Sequence, residues 1–343
     1  MSGVKVDAVC LHESLTALGY VALWISLSAG VILYNKWVLF YFGFPYPITL
    51  TMMHMAFATA ASSFLLHVLK LFKPVEMTRE QYVRGVVPIG ALFAGSLWLG
   101  NSAYLYISVS FIQMLKAFMP VAVYTVGIFM RLEQWSYSRL CNMLVITVGV
   151  MYAANGEVNF VLVGFCLQMA SIFTESVRLA FVQILLTSKG LGLNALTTLY
   201  YISPVTFAAL SVPWLFMEAP TLLDPEATIP VNWLVFLSNC SCALLLNLAV
   251  FMLIGKTSAL SMNVAGVFKD WLLIGLSALL FEAPVSAQSI AGYVVAFVGV
   301  MYYNYSKLTE KAAAANRPAS PSPASPPARG DVEANERAPL MSK

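Results

Sequence analysis

Charge is what this sequence has least of. Aspartate, glutamate, lysine and arginine make up 10% of its 343 residues, and histidine occurs three times. Soluble domains carry roughly 25% charge, so a water-soluble enzyme or adaptor is excluded. The formal charge of +3 is too small to point to nucleic acid. Cysteine is scarce as well: Cys10, Cys141, Cys166, Cys240 and Cys242 have neither disulfide nor zinc spacing, and Cys240-Ser241-Cys242 is too tight for a metal finger. His54 and His67 stand alone, and no nucleophile–His–acid set or acidic metal cluster is present. No enzyme chemistry, metal or cofactor is therefore expected. Gly255-Lys256-Thr257 resembles the end of a phosphate loop, but position 250 is Val, so that motif fails. The opening MSGVKVDAVCLHES has no hydrophobic core region and contains acids, so it reads as neither a signal peptide nor a plastid transit peptide.

What fills the chain instead is apolar. Hydrophobic residues are 59% of it, with a mean hydropathy of +0.78, which makes it a polytopic membrane protein. A span needs about 20 apolar residues. Read between polar and Pro/Gly breaks, the expected fold is an all-α membrane protein with ten transmembrane helices. They fall at 15–42, 46–70, 82–106, 108–130, 136–154, 157–186, 194–216, 231–255, 257–281 and 285–306. The loops alternate in charge. Those after the even-numbered helices carry Lys70, Lys73, Arg79, Arg84, Arg131, Arg139, Lys189 and Lys256, whereas the others carry Glu157, Glu218, Asp224, Glu226 and Glu282 and no base. The positive-inside rule then puts both termini in the cytosol, as an even number of spans requires.

An internal repeat organises these helices. Val148-Gly149-Val150-Met151-Tyr152 recurs as Val298-Gly299-Val300-Met301-Tyr302, and the same offset aligns Ser108 with Ser258 and Ser136 with Ser286. Five helices separate the copies, so the second half sits upside down relative to the first. The expected organisation is residues 1–14 as a cytosolic N-terminus, 15–155 and 156–308 as two inverted five-helix repeats, and 309–343 as a disordered Ala/Pro/Ser-rich cytosolic tail. Inverted repeats mark secondary transporters, with the substrate near the midplane. The glycosylation-like Asn239-Cys240-Ser241 falls within a span and is noise.

Six ionisable residues lie inside the expected spans: Lys36, Lys116, Glu175, Arg178, Lys269 and Asp270. Each is costly in hydrocarbon. Lys116 and Lys269 fall near the middle of the fourth and ninth helices, which are equivalent members of the two repeats. Two cations at one depth make a central anion site. The competing reading is structural pairing with Glu175 and Asp270, yet two acids balance only two of the four bases. Glu175 and Arg178, spaced i,i+3, suit a local pair, and Lys36 lies near enough to a helix end to snorkel. Chain neighbours point about 100° apart on a helix, so Lys269 and Asp270 are not expected to neutralise each other simply. Asn101 in the third helix and Gln113 on the Lys116 face are further candidates for substrate contact. Asp270, Lys36, Glu175 and Arg178 are candidates for gating or a charge network.

Three segments carry a resemblance. NKWVLFYFGFPYPITLTMMHM, GNSAYLYISVSFIQMLKAFMP and KTSALSMNVAGVFKDW resemble the triose-phosphate/nucleotide-sugar translocator family of the drug/metabolite transporter superfamily, from about Thr16 to Leu308. The Lys-Asp pair resembles the plant group of probable sugar-phosphate/phosphate translocators of the secretory pathway. The resemblance implies ten helices in two inverted halves and exchange by alternating access. It also implies that Lys116 and Lys269 grip phosphate, while the third cation of the plastid pattern is replaced by Asp270. The plastid histidine and threonine of the third helix fall at Leu97 and Gly100, and its tyrosine of the eighth at Leu246.

These departures set the expected function as an antiporter exchanging a phosphorylated sugar across an endomembrane: the Golgi first, the ER or another endomembrane as alternatives, and not the plastid. The alternative is a nucleotide-sugar/nucleoside-monophosphate antiporter supplying lumenal glycosylation, and the alternative of another class is a non-transporting membrane scaffold. Expected partners are a phosphorylated sugar or nucleotide sugar, a phosphate or nucleoside-monophosphate counter-substrate, the lipid bilayer and a second copy in a homodimer.

Overall fold

The structure, a computed structural model, describes residues 2–70, 76–189, 195–226, 229–254 and 259–315. Residues 1–304 form one compact unit; residues 305–343 form a second, described as far as Ala315. The described residues are helical, without strands. In order they are α1 (Ser2–Lys36), continued by a π turn at Trp37–Tyr41, and α2 (Pro47–Ser63), continued by a π turn at Phe64–Val68. Next come α3 (Arg79–Gln81) with a π turn at Tyr82–Val86, α4 (Val87–Ala103), α5 (Val109–Lys116), α6 (Met119–Phe129) and α7 (Tyr137–Asn155). The remainder are α8 (Leu162–Lys189), α9 (Ala195–Met217), α10 (Ala219–Leu222), α11 (Trp233–Ile254), α12 (Ala259–Phe281) and α13 (Ala287–Ala315). Among the described residues, six helical stretches are long and apolar enough to cross a membrane, and the bent pair α5–α6 passes as one more. The protein is an integral membrane protein.

Local chemistry sets the helix ends. Thr78 and Gln81 close a capping box at the start of α3, and the Ser108 hydroxyl accepts the Phe111 N–H at the start of α5. Pro47 occupies the first turn of α2, where its missing N–H costs nothing. Glu218, from the turn after α9, completes that end: its carboxylate accepts from the Ile48 N–H at 2.8 Å, the Thr49 N–H at 2.7 Å and the Thr49 hydroxyl at 2.6 Å. A carboxylate aimed at a helix N-terminus meets both free donors and the positive end of the dipole. Lys70, Arg131 and Glu282 take positive φ just past helix ends, the left-handed stop that terminates many helices.

Two ends differ from the expectation. α1 begins at Ser2 rather than near 15, and α13 runs on to Ala315 rather than ending near 306. The tail from 316 onward, Lys73, Lys256 and Ser258 lie outside the described residues.

Packing follows a regular pattern. α4 lies against α8 and α9, while α11 lies against α1 and α2; α6 meets α8, while α12 meets α1; α2 meets α9 and α5 meets α12. Between α7 and α13 the backbones touch. A Cβ on Gly149 would stand 2.5 Å from the Ala296 nitrogen, and one on Gly299 would stand 2.6 Å from the Ile146 side chain. A step of 150 residues turns each of these contacts into the other. Ser136 and Ser286, separated by the same step, both occupy the position before their helix, and Ser286 Oγ accepts the Ser289 N–H at 3.0 Å. α5 is at the centre. Every residue from Val109 to Leu115 is buried, so this helix is enclosed by protein on all sides.

Candidate functional site

The fourth expected helix is not continuous. It breaks after Lys116 into α5 and α6, which meet at a 40° bend. The reason is Pro120, in the first turn of α6: it has no N–H to offer the carbonyl four residues back, and that carbonyl belongs to Lys116. The chain crosses the break through short bonds, Ala117 N–H to Met114 O at 3.2 Å and Phe118 N–H to Leu115 O at 2.9 Å. Lys116 thus sits at the end of the most enclosed helix, beside a break.

Its side chain lines a cavity of about 300 Å³ bounded by α1, α4, α6 and α8, whose polar walls are Asn35, Ser96, Asn101, Gln168, Ser171 and Glu175. Glu175 is already matched. Arg178 Nε donates to it at 2.8 Å and Arg178 Nη2 donates to its other oxygen, while Ser96 Oγ donates at 3.1 Å. Arg178 also rests over the Phe93 ring, 4.9 Å from its centroid. The local i,i+3 pair expected from the sequence is therefore present.

Lys269 and Asp270 also pair, with Nζ 3.4 Å from Oδ1. The expectation that their 100° separation keeps them from neutralising each other is corrected: the lysine's four-carbon stem spans the gap between chain neighbours. Asp270 accordingly pairs with Lys269 rather than with Arg178 or Lys36. Lys269 also approaches the Trp24 ring of α1 at 5.6 Å, next to Gly266, whose nearest neighbour is the same ring. Among the described residues Lys269 and Gln113 are outside the cavity lining, whereas Lys116 and Asn101 are in it. Lys116 remains within electrostatic range of Lys269, Asp270 and Glu175.

Lys36 does something else. It is 6% exposed, and its ammonium donates to Tyr104 O at 2.6 Å and Ile107 O at 3.4 Å. It caps the C-terminal end of α4, where free carbonyls and the helix dipole favour a cation, so it does not snorkel. Acids thus account for Arg178 and Lys269, and carbonyls account for Lys36. Among the described residues no acid forms an ion pair with Lys116.

Gln113 is fully buried, and neither end of its amide has a partner. Asn101 Nδ2 donates to Thr51 Oγ1 at 2.8 Å. Leu97 and Gly100 line the cavity too, and Gly100 lets α4 approach α8, since a Cβ there would meet Ser171 Oγ at 3.0 Å. Sequence reasoning missed Gln168 and Asn35. Asn35 Oδ1 accepts from Asn239 Nδ2 at 3.0 Å, and the Asn239 carbonyl oxygen meets His54 Nε2 in a buried chain from α1 through α11 to α2. Asn239 is completely buried, which is why its glycosylation-like pattern carries no meaning.

Among the described residues, a helical membrane protein encloses a largely apolar cavity that carries a few polar groups and a buried lysine without an ion pair, an arrangement suited to a carrier of a polar solute. The sequence profile of the triose-phosphate transporter family matches residues 15–304. A probable sugar phosphate/phosphate translocator of Arabidopsis thaliana is 50% identical over 308 residues, covering 89% of this chain and 87% of the relative. A second protein so named from the same plant is 51% identical over 291 residues, covering 84% and 83%. The chain belongs to the triose-phosphate transporter family; it is a membrane translocator and not an enzyme.

Proposed function

We propose that the protein is an antiporter that exchanges a phosphorylated sugar for phosphate across an endomembrane by alternating access. The observation that carries this reading is Lys116, a cavity-lining cation without an ion pair among the described residues, at a break in the helix that bears it. Broken helices bring unsatisfied backbone groups to transporter sites, and a desolvated phosphate gains charge-assisted hydrogen bonds from a buried ammonium. Lys269 approaches the same region from α12 and adds positive potential that Asp270 offsets. Strict exchange follows from the unmatched charge. An empty carrier that occludes it loses hydration without compensation, so only the anion-loaded form crosses readily.

The proposed architecture is ten spans in two inverted five-helix halves. Support comes from the contact pattern: the α4–α8, α4–α9 and α6–α8 contacts recur as α11–α1, α11–α2 and α12–α1 when the halves are exchanged, and the Gly149–Ala296 and Gly299–Ile146 contacts are exchanged by the repeat step. Contacts of that kind are the mark of a two-fold relation. The loop charges favour cytosolic termini; the proposed address is the Golgi membrane. A cavity of about 300 Å³, at the lower end of ligand sites, favours a monosaccharide phosphate over a nucleotide sugar, which carries a base and a second phosphate in addition.

Counterflow in proteoliposomes tests this. Vesicles preloaded with phosphate are expected to take up sugar phosphates, and vesicles preloaded with UMP or GMP are not. Uptake of nucleotide sugars against a nucleoside monophosphate alone would overturn the reading in favour of that other branch.

A further inference from the structure

The phosphate is one end of the substrate; the cavity also holds a feature suited to the other. Gln168, on α8, is 2% exposed, lines the Lys116 cavity, and its Oε1 has no hydrogen-bond partner. An unmatched buried acceptor is costly, so its presence asks for a reason. Its neighbours on the wall offer a contrast. Ser171 Oγ donates to Ser96 O at 2.8 Å, Asn101 donates to Thr51, Asn35 accepts from Asn239, and Glu175 holds Arg178 and Ser96. Each of those groups is engaged with protein; the Gln168 carbonyl is not.

Its chemistry selects its partner. A neutral carbonyl oxygen repels phosphate oxygens, since both are acceptors, and matches a hydroxyl, which donates. The terminal amide torsion of a glutamine is soft and two-fold, so a half-turn exchanges carbonyl and amide at the cavity wall. Gln168 lies seven residues from Glu175, two turns or about 10.5 Å along α8, which leaves room for a sugar ring between the two levels. α4 brings Leu97 and Gly100 to the cavity, together with Ser96 and Asn101, whose polar groups are already engaged with Glu175, Ser171 and Thr51.

Resting on the sugar-phosphate reading above, we propose that the Gln168 wall is the sugar-hydroxyl subsite of the cavity and that Gln168 sets which phosphorylated sugar is accepted. The ligand class is a monosaccharide phosphate with a free hydroxyl remote from its phosphate.

The test uses full-length protein in proteoliposomes and reads a ratio: KM for a sugar phosphate divided by KM for inorganic phosphate. Gln168→Leu is expected to raise that ratio about tenfold, the loss of roughly one good hydrogen bond. On the unmodified protein, at least one single-deoxy analogue of the preferred sugar phosphate is expected to be disfavoured by a similar factor, and Gln168→Leu to abolish that discrimination. A ratio unchanged by Gln168→Leu, or deoxy analogues all exchanged like the parent, overturns the subsite even if exchange itself proceeds. Because the analogue arm needs no mutation, a variant that fails to fold leaves the inference exposed to refutation. If the unmodified protein exchanges neither phosphate nor any sugar phosphate, the functional reading falls, and the subsite with it.

Discussion

Lys269 Nζ and Asp270 Oδ1 lie 3.4 Å apart, so two chain neighbours on α12 hold each other's charge. The pair is mostly buried, its side chains 17% and 28% exposed. Asp270→Asn releases Lys269 from its acid and adds one positive unit near Lys116. The expected outcome is a KM for inorganic phosphate about fivefold lower, read from the concentration dependence of phosphate exchange. An unchanged or higher KM would mean that Asp270 does not restrain the lysine.

The α7–α13 contact makes a prediction about stability. A methyl on Gly149 would stand 2.5 Å from the Ala296 backbone nitrogen, whereas nothing lies within 4 Å of a methyl on Gly275. Both glycines are inside helices, where Ala is intrinsically preferred by roughly 0.5–1 kcal/mol. Gly275→Ala is therefore expected to leave the thermal midpoint in detergent unchanged or raised. Gly149→Ala is expected to lower stability by about 1–3 kcal/mol through overpacking against backbone that has nowhere to go. Equal effects of the two would contradict the close contact.

Glu157, in the connection between α7 and α8, supplies a pH dependence. Burial pushes its carboxyl up to about 7 from an ordinary 4.5, against the opposing pull of its hydrogen bond with Ser108. An acid that ionises later when folded favours the fold below its ordinary value, and that advantage fades as pH rises through about 7. Glu157→Gln cannot ionise there. The thermal midpoint of the natural protein is thus expected to fall, relative to Glu157→Gln, between pH 5 and pH 8. Parallel curves for the two would refute this.

Much of the fold was legible because bilayers demand long apolar helices, and helix occurs in each of the ten expected segments among the described residues. The glycines of the two Val-Gly-Val-Met-Tyr segments are, with Gly292, points where α7 and α13 touch. The break at Lys116 went unread although its signal was in plain view: Pro120 stands four residues after it. Gln168 was missed for a different reason. A neutral amide in an apolar run has no charge to flag it, and only the surrounding packing reveals that its neighbours have partners while its carbonyl oxygen does not. Lys36 was misjudged by counting its distance along the helix. The carbonyls that hold it come from the end of α4, about seventy residues further on, and sequence spacing cannot place them.

Lys116 is the centre of the account, and Lys116→Met tests it most directly, because the replacement keeps the length of the stem and removes the charge. Phosphate-driven counterflow of sugar phosphate in proteoliposomes is the measurement, with monodisperse behaviour in detergent as the check on folding. Removing one partner of a buried charge interaction costs about 2–5 kcal/mol, so exchange is expected to fall at least about thirtyfold. Exchange by Lys116→Met at the rate of the natural protein would contradict the assignment of this cavity as the phosphate site.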